Sequence, residues 1–182
     1  LLYHACMALE IIDNAKAVIF DYNDTLVDTA GPKWRQHKFI AARFFGFELT
    51  DEVLGRHWGE SMDTMLTNIF PGQDLKAIKQ HIDRVRPWFR KEPFQHTVPV
   101  LDRLSMNGKL IGMVTASTSF SLDYDLPNLD IPRELFDYMQ PADDTEYHKP
   151  DPRVFEPAIK WLDSEGVVPE EAVYIGHSLK DM

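Results

Sequence analysis

The chain has 182 residues, is 44% hydrophobic and 26% charged, and carries a net charge of -10. That length suits one substantial domain or a core with an insert, and the acidic balance argues against nucleic acid or an anionic membrane surface as a partner. The single cysteine, Cys6, excludes a disulfide within the chain and points to a reducing, cytoplasmic setting, while residues 1–16 lack the basic lead of a signal peptide and no apolar run is long enough to span a membrane.

In chain order, KAVIFDY at 16–22 groups Val18, Ile19 and Phe20 and predicts a buried strand. Residues 31–48 predict a helix, because Trp34, His37, Phe39, Ile40, Phe44 and Phe45 recur near helical spacing and Gly46 offers a stop. Residues 51–70 predict more helix, closed by Pro71-Gly72. Residues 74–90 predict a third helical stretch, with Leu75, Ile78, Ile82 and Val85 along one face and a disturbance at Pro87. The span 28–96 is therefore expected to be an all-helical insert.

The pattern then changes. Residues 98–109 predict a helix ending at Asn107-Gly108. LIGMVTAS at 110–117 predicts a second buried strand, and residues 130–144 a short helix followed by a short strand at Tyr138–Gln140. Residues 151–166 predict a helix with Pro near its start and Gly166 past its end, and EAVYIGHS at 171–178 a third strand. Strand and helix in alternation imply an α/β fold, a doubly wound parallel sheet of Rossmann-like type, with residues 1–27 and 97–182 as its core. The chain stops just after the third strand, where an open parallel sheet ordinarily continues, so a truncated C-terminus is expected.

In such sheets the ligand sits beyond the C-terminal strand ends. The first strand delivers Asp21, Asn23, Asp24 and Thr25. The second delivers Thr115, Ala116 and Ser117, and the third Gly176, His177, Ser178 and then Asp181. Lys149 stands in the loop EYHKPDP. A carboxylate nucleophile, hydroxyl and ammonium donors for phosphate oxygens, and carboxylates for a divalent cation are the parts of a phosphoryl-transfer site.

Four motifs occur in order: DYNDTLVDT at 21–29, IGMVTAS at 111–117, HKPDPRVF at 148–155 and GHSLKD at 176–181. In these the chain resembles the haloacid dehalogenase-like (HAD) hydrolase superfamily, of the type with a helical cap inserted after the first strand, from about Lys16 to Met182. The resemblance implies a phosphatase acting on a small phosphate monoester. Asp21 would attack phosphorus and form an aspartyl-phosphate, and Asn23 would stand at the acid/base position. Thr115, Ala116 and Lys149 would hold the phosphate oxygens. The implied cofactor is Mg²⁺, held by Asp21, the backbone carbonyl of Asn23 and Asp181. The implied partner is a small phosphorylated substrate, with neither nucleic acid nor membrane.

Three positions depart from the family pattern. Asn23 replaces an Asp that protonates the leaving group, and an amide does not exchange a proton near neutral pH. His177 replaces a metal-binding Asp, and imidazole suits softer metals than Mg²⁺. Asp24 replaces the usual Gly in a turn. Two alternatives therefore stand beside the phosphatase reading. One is a catalytically impaired or non-catalytic member that binds a phosphorylated ligand or a protein partner; the other is a metal-independent haloacid dehalogenase. His37, His57, His81 and His96 share no metal-ligand spacing and are read as cap surface or satisfied core.

Overall fold

Ala17–Phe20 (β1) is a strand with all four residues buried, as an apolar run without alternation requires of a strand covered on both faces. It pairs in parallel with Leu110–Val114 (β4) and with Ala172–Ile175 (β6), and β4 pairs in parallel with Tyr138–Gln140 (β5). The sheet order is β5-β4-β1-β6. Phe20 lies opposite Met113 and Ile175, so the C-terminal ends of β4, β1 and β6 stand level. The computed structural model describes residues 10–58, 60 and 62–178.

Period-two alternation along the strands builds two layers. Val18, Phe20, Ile111 and Met113 pack with Leu101 and Leu104 of Thr97–Met106 (α5) and with Leu122 and Leu126 of Ser119–Asn128 (α6). Ala17, Ile19 and Val114 pack with Ala158 and Leu162 of Glu156–Ser164 (α7). A short antiparallel pair, Val27–Asp28 (β2) with Glu92–Pro93 (β3), joins the residues just before and just after the insert. Neither this ribbon nor α6 is announced by the sequence. Two-residue strands have no period to read. In α6 only Leu122 and Leu126 are buried, Phe120 and Tyr124 are exposed, and Pro127 sits inside the helix.

Thr29–Lys91 forms a separate compact unit; the residues up to Asp28 and from Glu92 onward form the other. Among its described residues the Thr29–Lys91 unit is helical. Ala30–Ile40 (α1) continues into a wider π-type turn, Ala41–Phe45, and stops at Gly46, whose φ of 73° is the left-handed cap conformation. Asp51–His57 (α2) and Leu75–Val85 (α4) begin at Thr50 and Asp74, whose side chains accept hydrogen bonds from Val53 N and Ala77 N. Met62–Ile69 (α3) lies between them. Pro87 falls in the turn Arg86–Trp88 after α4, so it ends the helix without interrupting it. Ile40, Leu54, Leu66, Ile69, Phe70, Ile78 and Val85 form this unit's buried core. No helix among the described residues is long and apolar enough to cross a membrane.

His37 corrects an expectation. It is 2% exposed, yet neither ring nitrogen has a hydrogen-bond partner among the described residues, so it is core but not satisfied core. The ring meets the edge of Phe70 at 6.1 Å. Burial, aided by the charge of Lys33, lowers its pKa to about 4. The unfolded chain takes up this proton near pH 6.5 and the folded chain near pH 4. Stability tied to His37 is therefore full above about pH 6.5 and is lost as the pH falls toward 4. Wild type should lose about 2 kcal/mol more than His37→Leu between pH 7 and pH 5, read from urea unfolding at each pH.

Gly112 is fixed by a different constraint. A Cβ there would come within 3.1 Å of Ile19 Cγ1 and 3.2 Å of Trp161 Cζ3. Trp161 has little room to retreat, because it stacks on Tyr138 at 4.8 Å. Gly112→Ala should destabilise the core by about 1–2 kcal/mol in chemical denaturation, the usual cost of overpacking.

Candidate active site

Asp21 continues β1 by one residue. Its backbone N–H donates to the Ile175 carbonyl at 2.8 Å, which fixes the carboxylate just beyond the strand. The residue is 4% exposed. Lys149 Nζ donates to Oδ1 at 2.8 Å, and His177 Nδ1 lies 3.2 Å from Oδ2. An ionised carboxylate only accepts hydrogen bonds, so Nδ1 is the nitrogen that carries the proton in this contact. Lys149 Nζ also donates to the Tyr174 hydroxyl at 2.6 Å, and that hydroxyl reaches the Val114 carbonyl at 3.5 Å. The lysine side chain is 9% exposed. Such a buried ammonium depends on its partners.

The next strand end is built by the backbone. Thr115 N–H donates to the Gln140 carbonyl at 3.0 Å, and Thr115 Oγ1 accepts from Ser117 N at 3.0 Å. Ala116 is exposed at the tip of this loop. Asn23 Nδ2 donates to Ser117 Oγ at 2.9 Å, which ties the first loop to the second. Asp143, exposed in the turn after β5, accepts from Ser119 N at 2.7 Å. This contact holds its carboxyl below the usual range and anchors the start of α6.

The Asp21 loop is a tight turn. Leu26 N and Val27 N donate to the Tyr22 carbonyl, and Asp24 N donates to the Val27 carbonyl. Asp24 has a φ of 57°, the left-handed region that explains a Gly in the family pattern and that Asp tolerates better than most residues. Tyr22 is buried behind the loop, and burial with the nearby Asp125 carboxylate pushes its hydroxyl pKa well up.

The structure thus brings Asp21, Lys149 and His177 into direct contact, with Asn23 bonded to Ser117 and Thr115 at the adjacent strand end. The expectation for Asp181 falls outside the described residues. Tyr174 is the contributor that sequence reasoning missed. Tyrosine is a common strand residue and carries no motif signal; only its place two residues before Gly176 hints that it shares the site.

Mg²⁺ demands a near-octahedral oxygen shell at about 2.0–2.1 Å. Here both carboxylate oxygens are met by nitrogen donors, one an ammonium and one an imidazole. Among the described residues no three His, Cys, Asp or Glu side chains converge as a metal site. Among the described residues, which do not include Asp181, this donor set does not fit Mg²⁺.

A parallel sheet with a carboxylate at the end of a central strand, and a helical insert following directly, is the arrangement that the resemblance of the four motifs implies. The family model for haloacid dehalogenase-like hydrolases matches residues 18–182, and the chain belongs to this family. A Clostridium perfringens protein named as a candidate pyrophosphatase, PpaX, is 27% identical over 173 residues, covering 92% of this chain and 77% of its own. A candidate haloacid dehalogenase-like hydrolase structure from Bacteroides fragilis is 25% identical with a TM-score of 0.69, covering 92% and 80% of the two chains. A candidate β-phosphoglucomutase structure from Thermotoga maritima has a TM-score of 0.70 at 20% identity, covering 87% and 74%; that likeness is one of fold alone.

Removing one partner of a buried ion pair strands the other. Lys149→Met should lower stability by about 3 kcal/mol, and the double change with Asp21→Asn should cost less than the sum of the singles, in denaturant titrations.

Proposed function

We propose that the chain hydrolyses a small phosphate monoester, with Asp21 as nucleophile. A carboxylate oxygen of Asp21 bonds to phosphorus as the bond to the leaving oxygen breaks. Water then cleaves the aspartyl-phosphate, releasing phosphate and restoring the carboxylate. Lys149 offsets the charge that gathers on the transferring group, and Thr115 with the Ala116 backbone holds its oxygens. The observation that carries this reading is the Asp21–Lys149 pair, 2.8 Å apart at the strand ends where ligands of such sheets bind. The pyrophosphatase names of the curated relatives support the same class of chemistry.

Asn23 shapes the substrate preference. Its amide is bonded to Ser117 Oγ and has no proton to give, so the leaving oxygen departs as an anion or takes its proton from water. The reading therefore favours leaving groups of low basicity. The same residue supports a second reading, a member that binds a phosphorylated ligand or a protein partner without turnover.

Wild type should hydrolyse an aryl phosphate with an acidic phenol, be nearly inactive on an alkyl phosphate, and lose activity in Asp21→Asn. Asn23→Asp should raise alkyl phosphate turnover by roughly 10²- to 10⁴-fold, the usual worth of a general acid. Folded wild type and Asn23→Asp that are both silent on every phosphate ester, with or without Mg²⁺, would leave the binding reading in place of the catalytic one.

A further inference from the structure

We propose that His177 takes the place of the divalent cation at Asp21, so that this site binds and works on a phosphoryl group without metal. The proposal deepens the phosphatase reading and rests on it for its turnover readout alone. His177 follows β6 by two residues, and its Nδ1 lies 3.2 Å from Asp21 Oδ2 while Lys149 holds Oδ1 at 2.8 Å. Both oxygens of the carboxylate are thereby met by N–H donors. The Asp21 side chain is 6% exposed and that of His177 36%, so the carboxylate is buried while its imidazole partner is open to solvent.

Three physical consequences follow. First, a cation seated on Oδ2 would meet a donated proton on the same oxygen, which opposes a positive charge there. Second, imidazole brings nitrogen where Mg²⁺ needs oxygen. Third, the task a metal would perform on the nucleophile, fixing its orientation and offsetting its charge, is divided between two side chains already in place. Both donors lean on β6: His177 follows its end, and Lys149 donates to the hydroxyl of Tyr174 within it, which itself reaches the Val114 carbonyl. Asp21 therefore stays oriented without an ion.

The test uses the full chain with Mg²⁺ alone as the calorimetric probe and an aryl phosphate as the kinetic one. Wild type should give no saturable Mg²⁺ binding heat, and its turnover should be the same in EDTA as in excess Mg²⁺. His177→Asp, which sets a second carboxylate beside Asp21, should gain Mg²⁺ binding, lose turnover in EDTA and recover it when Mg²⁺ is added. His177→Asn, an N–H donor with no charge, should stay blind to Mg²⁺ and reports on folding at this position by circular dichroism. Saturable Mg²⁺ binding by wild type, or wild-type turnover abolished by EDTA, overturns the proposal. So does a folded His177→Asp that remains blind to Mg²⁺. If wild type binds no Mg²⁺ and hydrolyses nothing in either buffer, the phosphatase reading falls, and the gain of Mg²⁺ binding in His177→Asp still decides the role of His177.

Discussion

An ionised carboxylate buried to 4% exposure is the constraint from which the rest of the core follows. Unpaired, it would be too costly to keep. Its partners are far away in sequence: Lys149 by 128 residues and His177 by 156. Only a sheet that sets β1 beside β6 and β4, with level ends, brings an ammonium and an imidazole to the same carboxylate. Register is tied to the site in the same way. A slip of one residue in β1 would send Asp21 to the opposite face and bury Phe20 where Ile19 now packs.

The loop after Asp21 has a second demand to meet, because an insert of some sixty residues begins within a few residues of the carboxylate. Two local devices hold the loop. The Tyr22–Val27 turn closes on its own backbone, with Asp24 in the left-handed region. The β2–β3 ribbon then pairs Val27 with Pro93, and Thr97 Oγ1 donates to the Leu26 carbonyl at 2.6 Å. The chain leaves and returns at adjacent points, so the loop's geometry is set by the core itself.

The elements legible in the sequence are those whose cause is local. β1, β4 and β6 are continuous apolar runs, and Gly46, Gly108 and Gly166 each take the positive φ that a helix stop requires. Asp21, Thr115 and Lys149 stand out because their motifs combine strand ends with fixed neighbours. What escapes notice depends on packing between distant segments. His37 is unsatisfied only because tertiary packing closes around it, with Phe70 against its ring. Tyr174 matters only because Lys149 arrives from another loop. The contact of the exposed Asp143 with Ser119 N has no local signal, because α6, itself weakly patterned, is what brings Ser119 within reach.

The two departures from the family pattern make sense together through charge. With Asp at positions 21, 23 and 177, three carboxylates face a dication and a lysine ammonium, and the sum is zero. In this chain Asp21 faces Lys149, with an amide at Asn23 and a neutral or donating imidazole at His177, and the sum is no more negative than before. Asp181 belongs to both patterns and leaves the comparison unchanged. Losing the metal alone would leave three anions repelling one another and any phosphate dianion that approached. On the phosphatase reading, losing two carboxylates with it would leave Lys149 to balance Asp21 and keep the site open to an anion. In the metal-free reading proposed above, Asn23 is the companion of His177. On that reading, the substitution that removes the acid/base would also keep the site receptive to phosphate without a cation, at the cost of proton transfer to the leaving group.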